Sequence, residues 1–364
     1  MRKRGILLIG TVSFAVILSG CFQGEQSLEE IDPPQDAEAV DNLENIAEED
    51  AEAVNDKDAA EAVNDEDAAV TETVPRELYL IDSNGMVASQ TLELPSPNSK
   101  EVATQVMEYL VKGGPVTPIL PNGFQAVLPE GTEILGLNLQ EDGTMVVDLS
   151  EDFENYEATD EQKILEAMTH TLTQFENVNK IMLRINGQQL NEMPVNGTPI
   201  SDGYTRVNGI NIVDTDTLDL IDSKAVTMYY PAEHDENRYY VPVTQYIESN
   251  EESEFSSIIQ GLIDGPGFNT NVVHVFNPET TLANKPKLND GVLEIIFNEG
   301  ILKDSDQSII SDEVMETIVR TLTEQRNVEA VNVKVENVDQ LVNESGEAYT
   351  EPVTKQAFLP TEKL

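Results

Sequence analysis

The stretch "EAMTHTLTQFENVNKIMLRI", residues 166–185, lies without a gap over "ETIVRTLTEQRNVEAVNVKV", residues 316–335, at an offset of 150. That correspondence decides the fold, because a segment that recurs at a fixed offset marks one structural unit present twice. Ile164, Leu165, Met168 and Leu172 form a helical apolar stripe, and Val314, Met315, Ile318 and Leu322 repeat it. After a short connection each helix gives way to strict alternation, at Ile181, Leu183 and Ile185 and again at Val331, Val333 and Val335. Alternation of period two is the mark of a strand with one buried face.

Working upstream, "MEYLVKGGP" and "IQGLIDGPG" each end an apolar-striped helix at glycine and proline, which cannot continue it. In the first copy this helix carries Val102, Ala103, Val106, Met107, Leu110 and Val111, with Ser99 as its expected N-cap. "QEDGTMVVDLS" and "LNDGVLEIIFN" place Asp-Gly, a strong hairpin signal, before the alternating runs Met145/Val147/Leu149 and Leu293/Ile295/Phe297. "ELYLID" and "VTMYYP" read as opening strands, each followed by a polar turn and a second strand. The order in each copy is strand, strand, helix, strand, strand, helix, strand. Helices separated by hairpins predict an α+β fold, two tandem copies of a small domain in which an antiparallel or mixed sheet is covered by two helices. The first domain is expected over 76–213 and the second over 225–358, joined by a linker, 214–224. Asp214, Asp216 and Asp219 in that linker resemble the start of a calcium loop, but position six is not glycine and position twelve is Ala225.

The amino terminus has a different grammar. Arg2, Lys3 and Arg4 precede an apolar run from Ile6 to Leu18, then Leu18-Ser19-Gly20, then Cys21, the single cysteine of the 364 residues. One thiol supports neither a disulfide within the chain nor a thiolate metal site. The apolar run falls short of the roughly 20 residues that span a bilayer, so residues 1–20 read as a cleaved export signal rather than an anchor. "LSGC" is similar to the bacterial lipoprotein box, with Cys21 acylated after cleavage; the competing reading is an ordinary signal followed by an incidental cysteine. Residues 21–75 form an acidic, disordered tether in which a Glu-Ala-Val-(Asp/Asn) unit recurs irregularly around one cation, Lys57. "NDKD" and "NDED" lack the glycine and terminal glutamate of a calcium loop.

At this point the chain resembles the GerM family of sporulation lipoproteins, which carry two tandem GerMN domains behind a lipoprotein signal. The matching residues in the first copy are "YLVKGGP" (109–115), "LPEGTEILGLNLQEDGTMVVDLSEDF" (128–153) and "THTLTQFENVNKIMLRINGQ" (169–188). The second copy departs at "FNPETT", "NKPKLNDG" and "FNEGIL". The resemblance implies a role in spore formation, in the space between mother-cell and forespore membranes. GerMN domains are similar to ring-building domains of the channel joining those cells, so it also implies protein partners in that complex and its assembly or stabilisation.

Charge narrows the function classes. Sixty-eight acidic residues against 21 Lys and Arg give a formal charge of −47, and loss of residues 1–20 leaves −50. Such a surface repels nucleic acid and anionic headgroups, so the membrane is reached through the lipid alone, on the extracytoplasmic face. The three histidines, His170, His234 and His274, show no paired ligand spacing, and no metal or other cofactor is expected. His170 lies off the apolar stripe and is expected to face solvent or a partner; His234 falls in a charged turn, and His274 in an apolar run as strand or edge. No serine nucleophile elbow, phosphate loop or dinucleotide fingerprint occurs, and without tryptophan the chain lacks the usual platform for stacking sugars, so no catalytic residues are assigned. Candidate partner contacts are Met182, Arg184 and Asn186 with their counterparts Asn332, Lys334 and Glu336, on the strand positions facing away from the core. Pairing with a neighbouring carboxylate is the alternative for the two cations. The sequence thus predicts a lipid-anchored scaffold able to self-associate, with a module binding a wall or small-molecule ligand between its two copies as the second reading.

Overall fold

The computed structural model describes residues 72–96, 102–213, 223–248, 253–267 and 270–358. Cys21, the tether, Ser99 and the aspartates of the linker lie outside the described residues. The first copy comprises β1 (Thr73–Ile81), β2 (Val87–Pro95), α1 (Val102–Glu108), β3 (Ile134–Leu139), β4 (Thr144–Leu149), α2 (Glu161–Leu172), β5 (Lys180–Ile185) and a short β6 (Gln188–Gln189). The second comprises β7 (Ser223–His234), β8 (Asn237–Glu248), α3 (Glu254–Asp264), β9 (Lys287–Asn289), β10 (Val292–Phe297), the small hairpin β11 (Leu302–Asp304) and β12 (Ile309–Ile310), α4 (Asp312–Leu322) and β13 (Ala330–Val335). The order is the one the repeat predicts, with β6 and the β11–β12 hairpin added.

Strand pairing is mixed. β3 and β4 are antiparallel, β4 and β5 parallel, and β9, β10 and β13 repeat the arrangement. A parallel pair needs a crossover, and α2 and α4 supply it. The opening strands form separate antiparallel hairpins, β1–β2 and β7–β8, so the strands of the second copy, with β11–β12, fall into three sheets and those of the first into two pieces. Helix α2 holds those pieces together by packing against β1, β2 and β5. At the β9–β10 turn Asp290 and Gly291 both have positive φ, 47° and 81°, the backbone of a two-residue type I′ hairpin. The corresponding turn before β4 closes through Gly143 alone, φ 84°, as a longer loop.

Sequence alternation becomes alternation of burial: along β5, Ile181, Leu183 and Ile185 are buried while Lys180, Met182 and Arg184 are half-exposed. α1 ends at Glu108, before the glycines, yet Leu110 and Val111 remain buried beyond it. A single contiguous hydrophobic core runs through both copies, from Leu78 and Val147 to Ile295 and Val353. Two domains that each buried only their own apolar face would show two clusters instead.

Candidate functional site

The repeat leaves a structural signature at the first strand of each copy. The Tyr79 backbone N–H donates to Thr171 Oγ1 at 3.0 Å, and the Tyr229 N–H donates to Thr321 Oγ1 at 2.9 Å. Both pairs obey the offset of 150. The two tyrosines are buried, and both stand beside the residues that cross from one copy to the other.

Arg206 is the first of those residues. Its Nε donates to Thr173 Oγ1 at 2.7 Å, one terminal nitrogen to the His170 carbonyl at 3.3 Å, and the other to Glu324 of the second copy at 3.2 Å. Glu324 also accepts from Lys355 at 3.0 Å, and the Lys355 ammonium lies 5.9 Å from the centre of the Tyr229 ring. Burial works against the ionised carboxylate of Glu324, but Lys355 and Arg206 together hold it below its ordinary range. One carboxylate thus neutralises two cations at the junction.

Asn211 ties the opening hairpins together. Its amide oxygen accepts from the Val87 N–H at 2.9 Å, while its Nδ2 donates at 2.7 Å to the Val87 and Pro242 carbonyls, so one side chain bridges β2 and β8. Its own N–H donates to buried Glu166 at 3.2 Å. Burial pushes Glu166 up to about 7 despite that bond. Nearby, the Tyr239 hydroxyl donates to Asp82 at 2.9 Å and the Tyr239 ring meets Phe124 edge-on at 4.7 Å.

His170 corrects the expectation that it faces solvent: it is 1% exposed, its ring 5.1 Å from that of Tyr79. An apolar stripe marks only one buried face of α2, whereas the turn carrying Arg206 packs on the helix as well. Burial first, then the charges of Arg206 and Lys355, push His170 well below its ordinary range and keep it neutral. His274 is corrected too. It lies in irregular chain rather than in a strand, with Nε2 at 2.6 Å from the Ile263 carbonyl near the end of α3. His234 closes β7 beside the turn at Asp235, whose φ is 53°.

Two clefts flank the junction. One of about 390 Å³ is lined by Glu77, Arg238, Glu313, Glu316 and Arg320 among others, and its charges pair internally, Arg320 with Glu316 at 2.6 Å and Arg238 with Glu313 at 2.9 Å. The other, of about 890 Å³, has His170 and Arg206 of the first copy facing Tyr229, Glu324 and Arg326 of the second. Among the described residues no group of His, Cys, Asp and Glu has metal-binding geometry, and no helix is long and apolar enough to cross a membrane.

The model of a family described as sporulation and spore germination matches twice, at residues 77–191 and 227–340. The spore germination protein GerM of Bacillus subtilis (strain 168) is 44% identical over 99% of both chains. The solved structure of the tandem GerMN domains of the sporulation protein GerM from Bacillus subtilis has a TM-score of 0.71 and 47% identity, covering 78% of this chain and 98% of that one. The chain belongs to the GerM family.

Within this GerM-family chain, the six proposed contact residues occupy unequal places. Met182, Arg184 and Asn332 are half-buried rather than exposed, because neighbouring side chains of the sheet shade them, and β6 pairs Gln189 with Arg184. Asn186 and Glu336 are exposed but fall just beyond β5 and β13, which end at Ile185 and Val335. Lys334 pairs with Glu294 at 2.5 Å. Arg184 makes no ion pair among the described residues; its neighbour across the parallel pair, Asp148, instead accepts from the Gly187 N–H at 2.9 Å. The residues that join the copies, Arg206, Asn211 and Glu324, carry no local signal in the sequence.

Proposed function

We propose that this protein is a non-enzymatic, lipid-anchored scaffold of spore formation, acting on the extracytoplasmic face of the membrane through protein contacts. It assembles or stabilises an envelope-spanning channel complex between mother cell and forespore. The observation that carries this reading is the end-to-end relationship with a spore germination protein of the GerM family, with both repeats retained. The leader ending in Cys21 supports an acylated anchor, and the acidic tether supports a scaffold held away from the membrane. The junction of the repeats supports it as well, because a continuous core presents two related surfaces in one fixed geometry.

Complementation of an in-frame deletion tests the reading. The wild-type chain should restore heat-resistant spores and fractionate with membranes, whereas the Cys21→Ala chain should incorporate no labelled fatty acid and leave the spore count low. Full complementation by the Cys21→Ala chain would remove the lipid anchor from the account. Turnover of purified wall fragments by the mature chain would remove the scaffold reading itself.

A further inference from the structure

The strands β2 and β8 lie side by side where the two copies meet, yet no backbone hydrogen bond joins them among the described residues. In an antiparallel pair, alternate residues direct both backbone groups away from the partner strand. On β2 those residues include Val87, Ser89 and Thr91, because their opposite members Ile81, Tyr79 and Glu77 bond outward to Gln125, Thr171 and Gln174. On β8 the outward bond of Tyr229 to Thr321 fixes the same parity, so Thr244, Pro242, Tyr240 and Arg238 face β2.

The space between the two edges is filled at one end. Thr244 donates to the Ile210 carbonyl and accepts from the Val213 N–H, and the Asn211 side-chain amide then bonds Val87 on one edge and Pro242 on the other. That amide stands where a peptide group of an intervening strand would stand. Beyond it the row stops. The outward N–H and C=O groups of Ser89, Thr91, Tyr240 and Arg238 meet no partner among the described residues, and these four residues line the cleft of about 390 Å³. Ser89 is 9% exposed and its hydroxyl is unpaired as well. Facing strand edges with free backbone groups are a template for an added strand, and this one offers three residues of length, about 10 Å.

Charge selects the occupant. Glu77, Glu233, Asp312, Glu313 and Glu316 line the cleft against Arg238 and Arg320, and the two arginines are already engaged by Glu313 and Glu316. A basic segment complements that excess, whereas the acidic stretch at residues 21–71 of this chain opposes it.

We propose that the cleft receives an extended, basic segment of a partner protein as a strand between β2 and β8, continuing the line that Asn211 begins. Its backbone pairs with Ser89 and Thr91 on one side and with Tyr240 and Arg238 on the other, and its Lys or Arg side chains meet Glu77 and Asp312. The site is incomplete in either repeat alone. For the partner's place in spore formation the proposal rests on the scaffold reading, which the spore counts decide; binding itself is measured without them.

The test is a calorimetric titration of the full-length chain in detergent, at about 0.15 M salt, with the acetylated and amidated peptide Lys-Val-Lys-Val-Lys. The comparison is the same peptide N-methylated at both valines, which keeps every charge and loses two backbone donors. Saturable binding, at least about tenfold weaker for the methylated peptide, is the expected result. Hydrogen exchange read by mass spectrometry should slow in β2 and β8 on binding. Thr91→Pro removes an outward N–H at an exposed edge position, where proline is tolerated, and should weaken the peptide about fivefold. No saturation up to about 1 mM would overturn the proposal, as would equal affinities for the two peptides or unchanged exchange in both strands.

Discussion

Asn211 has φ 47°, a region asparagine tolerates better than most residues, and four hydrogen bonds converge on it. Asn211→Ala strands backbone groups of Val87 and Pro242 and leaves alanine in a strained conformation. It should lower stability by about 2–4 kcal/mol, read from the urea midpoint at constant slope. A change below about 0.5 kcal/mol, the level of an ordinary surface substitution, would show that the bridge between β2 and β8 is incidental.

Glu166 and His170, one turn apart on α2, set opposing pH dependences. Folded His170 resists protonation, so the unfolded chain binds the extra proton and stability is lost as pH falls below about 6.5. Folded Glu166 holds its proton up to about 7, so its contribution is fully present below its ordinary value of 4.5 and is lost as pH rises through about 7. Between those ordinary values each slope is about 1.4 kcal/mol per pH unit and of opposite sign, so the two cancel in the wild type. Glu166→Gln should therefore give stability that rises with pH between 4.5 and 6.5, and His170→Phe stability that falls over the same range. Parallel profiles for the two variants, measured by denaturant unfolding, would contradict the burial of one group or the other.

At the scale of elements, the repeat was legible because its signals are local. Helical stripes, alternating strands and Asp-Gly turns each occupy a few consecutive residues, and their recurrence at one offset reinforced every assignment. The face of α2 bearing His170 is not legible in the stripe, which shows only which side of a helix meets its own sheet. A signal was present in the absence of any carboxylate, lysine or arginine in α2 beyond Glu166, unusual for a helix with a solvated face. Arg206, Asn211 and Glu324 leave no mark in the sequence for another reason: they act on partners up to 124 residues away, and no periodicity encodes such a distance. The equivalent bonds of Thr171 and Thr321 to the first strands make the repeat testable. Thr171→Val and Thr321→Val should each destabilise by about 1–2 kcal/mol, read from the denaturant midpoint. Clearly unequal effects would mean that the shared geometry does not carry shared energy.

Over the whole molecule, a formal charge of −47 acts against compactness. Raising salt shortens the screening length from about 10 Å at 0.1 M to about 3 Å at 1 M, so the thermal midpoint should climb across that range. A flat or falling midpoint would indicate that the surface charges are already paired within the fold. The same excess of acid makes the cations at the junction, Arg206 and Lys355, conspicuous. The continuous core and the family relationship together describe one body built from two copies, in a family of sporulation and spore germination. The most direct measurement is the heat-resistant spore count of an in-frame deletion strain, taken alongside its vegetative growth rate. The account predicts a large loss of spores at normal growth; an undiminished spore count would contradict it.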